Sequence, residues 1–427
     1  ETRAALRELD RALRCDPRNR RIRLFRGALY LELGMVSAAR RDLAQLVSRD
    51  PGDADTWYLY GLALQGTGEP DEARRAFSRA ISLQPDFARA HCALGQIREA
   101  AGDYLGALRE YSAATEADPA LSLAHALRGV LLWKQGRSVE AVRALGEAVR
   151  LQPDRADAYL ARGIAFLSVG RTAEALADFN RALELGPATP SLLVHRARAW
   201  KQAGDTELAL QDLDRALALD PDNVTARLNR GIIRRAAGRL ADSVRDLQRV
   251  LELNPSDAEA HYQLALTRMR RNQPTLALDE LHRALGIDPR HARAWAAVGE
   301  LYLQQARFGK ALEAFESALD NDARLVSAYE GAARARMRRG EFSLALAALD
   351  GALRLTNDTE ILFLRAGALY ALSDYTNALE SIDAVLKRVP ERPDALLLRA
   401  DVLEAQGRLE AARRDRARAR ALLEKTR

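Results

Sequence analysis

The marks that punctuate this chain return every 34 residues, and that period constrains its fold more than any other feature. Numbering residues 156–189, ADAYLARGIAFLSVGRTAEALADFNRALELGPAT, as positions 1–34 puts Gly163 at position 8, Gly170 at 15, Ala175 at 20, Ala182 at 27 and Pro187 at 32. Ten copies of this length start at Arg20, Ala54, Ala88, Ser122, Ala156, Pro190, Val224, Ala258, Ala292 and Val326. An eleventh, from Glu360, is one residue short at Ser373-Asp374, and a twelfth runs from Pro393 to the end. Residues 1–19 are the second half of another copy. A unit this short buries no core alone, so copies have to stack. The expectation is one continuous array over 1–427: a half repeat at 1–19, eleven repeats at 20–392 and, at 393–427, a final repeat ending in a basic helix.

Each copy reads as two helices. Apolar residues fall at positions 4, 11, 20, 24 and 27, with the i, i+3, i+4, i+7 spacing of a helix face. Glycine at position 15 marks the end of the first helix, where the chain needs a positive φ. Proline at position 32 ends the second, because it has no N–H to continue it. Small residues at positions 8, 20 and 27 let two helix axes approach closely. Strands are excluded by the lack of apolar–polar alternation.

This pattern resembles the tetratricopeptide repeat (TPR) family over the whole chain. The resemblance implies an all-α fold, a right-handed TPR superhelix (an α-solenoid) of antiparallel helix pairs. It also implies that first helices line a concave groove, that second helices form the convex outside, and that partners are peptides, helices or other protein surfaces.

Charge and cysteine content narrow the function classes. The net charge is +6, and the basic residues are nearly all arginine, with lysine only at Lys134, Lys201, Lys310, Lys387 and Lys425. A GC-rich genome accounts for such a bias. Arginine is spread through every copy beside 59 acids, whereas nucleic-acid binding would gather it on one face with aromatics between. Cys15 and Cys92 lie two copies apart, which argues against a disulfide scaffold and for a reducing compartment. No apolar run approaches the ~18 residues of a membrane span. The expected location is cytoplasmic, with a cytoskeletal or ciliary array as the alternative. The chain opens on Glu1, at position 16 of a copy and without a starting Met, as expected of a segment of a longer protein.

The copies also serve as their own alignment. Position 7 is arginine in six of them: Arg26, Arg128, Arg162, Arg196, Arg230 and Arg399. Position 23 is aspartate in five of those six, namely Asp42, Asp178, Asp212, Asp246 and Asp415, the exception being Ala144 beside Arg128. Copies without the arginine carry Ala, Glu or Ser at position 23. Positions that vary together are expected to touch, so an Arg–Asp pair should bridge the two helices of each such copy, half-buried and bidentate. The alternative is a ladder of arginines for an acidic ligand.

The family's groove positions are about 2, 5, 6, 9, 12 and 13. In copies one to five they are apolar, with Tyr58, Leu62, Val130, Trp133, Leu160, Ile164 and Leu167 as candidate lining. This stripe reads either as a groove for an amphipathic helix or extended apolar segment, or as surface that a tight superhelix buries. From copy six onward apolar and basic residues mix: Val194, Arg198 and Lys201, then Ile232 and Arg235, then Tyr262, Leu266, Met269 and Arg270, and finally Arg334, Met337 and Arg338. That lining suits an acidic amphipathic partner; the alternative is solvated charge on an idle surface.

The carboxylate clamp by which some family members hold chaperone C-termini is absent. Asn229 is the only asparagine at position 6, and Val194, Arg198, Glu259 and Gln263 stand where the clamp needs other residues. His91, His125 and His261 share position 4 with Trp57, Tyr159, Trp295 and Tyr329, which reads as a packing slot. No metal, phosphate-loop or nucleophile motif occurs, and no cofactor is implied. Cys92 stands at a groove position without a sign of activation. Arg416 takes position 24 of the last copy, normally apolar, so the final helix reads as a polar cap or a basic docking tip. The expected function is a non-enzymatic protein-interaction scaffold. The alternatives are a structural subunit of a ciliary, axonemal or cytoskeletal assembly, and the partner-recruiting arm of a larger enzyme.

Overall fold

The structure is a computed structural model that describes residues 2–425, with side chains for 4–424. Among the described residues there are helices and turns and no strands. The chain forms an all-α solenoid of antiparallel helix pairs, grouped in two compact units, Glu1–Asp220 and Pro221–Arg427.

Repeat five shows how one copy is built. Its first helix is Ala156–Ser168 and its second Thr172–Leu185. Gly170, at φ 76°, reverses the chain between them. Asn272, Ala306 and Ser373 hold the same left-handed turn at φ 56°, 56° and 61° in repeats eight, nine and eleven. First helices are often capped by the residue just before them: Asn19 accepts from Ile22 N–H, Asp53 from Thr56 N–H and Asp257 from Ala260 N–H. Second helices end shortly before the position-32 proline, as at Arg49 before Pro51.

The core is a row of alanines and one large residue per copy. Ala175, Phe179 and Ala182 of repeat five are wholly buried. A Cβ added to Gly163 would stand 2.6 Å from the Phe179 ring, and one on Gly95 would stand 2.5 Å from Tyr111. Each aromatic at position 24, Phe77, Tyr111, Phe179 and Phe315, therefore has glycine at position 8, whereas leucine there faces glycine, as Leu247 faces Gly231, or alanine, as Leu213 faces Ala197.

First helices pack against the next first helix, as Ala88–Ala100 on Ser122–Lys134 and Val224–Ala236 on Ala258–Arg270, with no comparable contact between successive second helices. Within each unit the first helices thus lie on the inside of the curve. The structure corrects the phase near the end. The first helix of repeat eleven starts at Thr359, capped by Asp358, and Ser373 then stands at position 15. The missing residue belongs to repeat ten, whose second helix, Phe342–Leu353, spans 12 residues where its neighbours span 14.

Candidate functional site

Three sets of side chains were candidates for function: the position-7 arginines, the histidines and the concave lining. The structure turns the first two inward. Arg162 donates from Nε and Nη2 to Asp178 at 2.8 and 2.7 Å. The same two-pronged contact joins Arg26 to Asp42, Arg196 to Asp212, Arg230 to Asp246 and Arg399 to Asp415, at 2.6–2.9 Å. Each aspartate is buried, and its hydrogen bonds raise the partner arginines Arg26, Arg162 and Arg399 above the usual guanidinium range. Arg128, facing Ala144, is left with an unbonded, solvent-shielded Nε.

The arginines also reach position 25 of the preceding repeat. Arg26 donates to Asp10, Arg196 to Asn180 and Arg399 to Asp383, each at 2.8 Å. Arg365, brought to position 7 by the corrected phase, donates to Asp350 and Ser381 at 2.7 Å. Arg162 has Gly146 at that place and no such bond. These bridges tie neighbouring copies together.

The packing slot at position 4 proves to be a hydrogen-bonding slot. His91, His125 and His261 each set Nε2 3.0–3.2 Å from the carbonyl of the proline six residues earlier. Trp57, Trp295, Tyr159 and Arg23 donate to the same carbonyl in their copies. A ring nitrogen facing a carbonyl has to carry a proton. In His91 the other nitrogen, Nδ1, meets Glu110 at 2.7 Å, and this bond above all raises the ring above its ordinary range. His261 meets Glu280 at 2.6 Å in the same way. His195 is opposite in character. It lies over Phe179, its Nδ1 has no partner, and burial with the charge of Arg198 pushes it down to about 4. Among the described residues no cluster of His, Cys, Asp or Glu could hold a metal ion.

The lining residues divide. In residues 1–220, Leu62, Val130, Trp133, Leu160, Ile164 and Leu167 are half-buried, each resting on the core cluster of its own region. Phe25 is 67% exposed. Tyr58 packs at a tilt of 48° against the rings of Phe77 and Phe87, and Arg198 and Lys201 are exposed. Contacts run along this face from one first helix to the next: Trp133 Nε1 donates to Ser168 Oγ at 2.8 Å, and Lys134 Nζ donates to Glu99 at 2.7 Å. The second contact borders a hollow of about 650 Å³ lined by Gln96, Glu99, Tyr104, Leu127 and Lys134.

In residues 221–427, Ile232, Leu266, Met269 and Met337 are half-buried. Arg334 pairs with Glu300 at 2.8 Å, and Arg338 lies over the Phe308 ring at 5.6 Å. Arg235 and Arg270 have no carboxylate within 4.0 Å among the described residues.

Three expectations are corrected here. Val194, Tyr262 and Cys92 belong to the interior, at 4%, 9% and 2% exposed; Cys92 shares a core cluster with Ala114 and Ala124, and Tyr262 one with Ala297 and Val298. Burial pushes the Cys92 thiol up to about 12, which keeps it unreactive at neutral pH. Arg416 folds back onto Asp401 at 2.9 Å and onto Glu404, while Arg413, Arg414, Arg418 and Arg420 of the same helix stay exposed. No helix among the described residues is long and apolar enough to cross a membrane.

Comparison with known proteins agrees with this architecture. Family models described as tetratricopeptide repeat match residues 1–54, 58–122, 127–190, 262–326, 330–384 and 363–421, and a second of that description matches 195–266. No curated protein matches the chain. Similar solved structures include yeast Tom70, at 15% identity over 92% of this chain and 95% of that one with a TM-score of 0.47. The APC/C hetero-tetramer Cut9–Hcn1 matches at 11% identity over 93% and 92%, TM-score 0.49. YrrB, a TPR protein with an unusual peptide-binding site, matches at 24% identity over 44% of this chain and 96% of its own, TM-score 0.36.

Proposed function

The chain belongs to the tetratricopeptide repeat family, and we propose that it is a non-enzymatic protein-interaction scaffold whose first helices offer a concave face to a partner peptide, helix or assembly surface. One observation carries this reading. Successive first helices keep half-buried apolar side chains on their inner side, Leu62 and Ile164 in one unit, Ile232 and Leu266 in the other. Solvated surfaces rarely retain so regular an apolar row, and an amphipathic helix or extended apolar segment is the kind of ligand that covers one. In residues 1–220 the row is mainly apolar; in residues 221–427 it includes Arg235, Arg270 and Arg338. The 34-residue period passes through Asp220 and Pro221 without a break in phase, so the repeats are taken as one array.

A second reading, a cytoplasmic structural subunit of a ciliary or cytoskeletal assembly, is favoured by the second helices of repeats three and four, where Leu105 is 70% and Val139 60% exposed. Affinity capture with the intact protein separates the two. Leu62→Asp, Ile164→Asp and Ile232→Asp, made singly and each checked for an intact helical fold by circular dichroism, should include at least one that releases a partner. Retention of every partner by all three would sink the concave-face reading.

A further inference from the structure

A guanidinium shielded from water without an acid is costly, so half-buried arginines usually carry a carboxylate. This chain obeys that rule almost throughout. Of the arginines whose Nε is shielded and unbonded, Arg98 reaches Glu110, Arg227 and Arg234 reach Asp246, and Arg334 reaches Glu300. Arg128, beside Ala144, feels only the more distant charge of Glu140 and is a first exception.

Arg235 departs from the rule. It is half-buried near the end of the first helix of repeat seven, its Nε is shielded and unbonded, and Nη2 donates at 2.9 Å to a neutral acceptor, Gln263 Oε1. The charge beside it has the same sign. Arg270, on the next first helix, donates from Nη1 to the Arg235 carbonyl at 3.1 Å. Burial first, and Arg270 second, pull Arg235 below the usual guanidinium range. The acid nearby is already committed: Glu259 accepts from Gln263 at 2.7 Å with one oxygen and from Arg293 at 3.0 Å with the other. The exposed Arg270 guanidinium thus stands against the Arg235 backbone, and neither arginine has an acid bonded to it among the described residues.

Their surroundings are apolar. Ile232 lies one turn before Arg235 on the same helix face, and Leu266 one turn before Arg270, with Met269 adjacent; all three are half-buried. A free inorganic anion would leave those side chains uncovered. A peptide that places an acid between apolar neighbours would satisfy both features, and the planar fork of arginine matches a carboxylate in two-pronged geometry.

We propose that Arg235 and Arg270 form the seat for an aspartate or glutamate carboxylate in a bound peptide segment, whose flanking apolar side chains rest on Ile232, Leu266 and Met269. This rests on the concave-face reading and gives that face a chemical preference.

The test uses the full chain. Random 12-residue peptides displayed on phage are selected against it, and the enriched peptides are measured by fluorescence anisotropy against wild type, Arg270→Met and Leu266→Asp. Arg270 is exposed, so its replacement leaves the fold intact, which circular dichroism checks. Enriched peptides should carry an acid beside apolar residues. Changing that acid to its amide should weaken wild-type binding about tenfold, the scale of one charge-assisted hydrogen bond, and should weaken Arg270→Met binding by clearly less. Acid-free peptides, or an amide effect equal in both proteins, overturn the seat. If Leu266→Asp abolishes binding while Arg270→Met binds the acidic peptides as tightly as wild type does, the seat fails and the concave face stands. Binding indifferent to Leu266→Asp, or no binding at all, removes both.

Discussion

The Arg162–Asp178 contact joins two charges that are each costly to bury and are tolerable only together. Asp178→Ala should strand Arg162 and lower stability by about 3 kcal/mol, whereas the double change Arg162→Leu with Asp178→Leu should recover most of the loss, as read from urea unfolding midpoints. The histidines give a second prediction. Because His91 has a folded pKa above its unfolded value, its contact with Glu110 contributes fully below about pH 6.5 and fades as the pH rises through the folded value. In an NMR titration of the six histidines, His91 should titrate above 6.5, and His195 should stay neutral until about pH 4. Glutamine at 91 should remove the corresponding dependence. At this scale the chain is partly legible. The Arg–Asp contacts are visible because both partners are side chains that vary together across copies. The position-4 slot is not, because its acceptor is a backbone carbonyl and its donors are as different as Arg23, Trp57, His91 and Tyr159. The bridges to Asp10, Asn180, Asp350 and Asp383 cross from one copy to the next, a direction that comparison within a copy does not inspect.

At the scale of the helix, close approach decides which residues are allowed. A methyl at position 163 meets the Phe179 ring at 2.6 Å, inside van der Waals contact, while one at 231 meets Leu247 Cγ at 3.0 Å and Cδ2 at 3.2 Å, a smaller overlap with a side chain that can turn. Overpacking at such a site costs about 1–3 kcal/mol, and alanine returns about 1 kcal/mol of helix propensity over glycine. Gly163→Ala should therefore lower the unfolding midpoint, and Gly231→Ala should leave it nearly unchanged. The helices themselves were readable from apolar spacing and turn glycines. The phase of repeat eleven was not, since Ser373 in a left-handed turn carries no glycine to mark it. Arg416 marks the polar last helix in the sequence but not its partners: an arginine in an apolar slot turns its long stem so that the charge reaches Asp401 and Glu404 on the neighbouring helix.

For the whole molecule, the family and the helix-pair architecture follow from the period, but the open part of the concave face does not. Position number alone puts Val194, Tyr262 and Cys92 on that face, and burial in the core takes them off it. Arg334 and Arg338 look like free basic residues in the sequence, and in the fold they are occupied by Glu300 and Phe308. What remains open is an apolar row with one unbalanced arginine pair. The central claim is that partners are held there and not on the second helices. Site-specific photo-crosslinking in the intact protein tests it most directly, with the photoreactive residue at Leu62, Ile164 or Leu266 on first helices and at Arg79, Glu184 or Glu252 on exposed parts of second helices. The account predicts adducts to a partner protein from the first set and none from the second; adducts confined to the second set would contradict it.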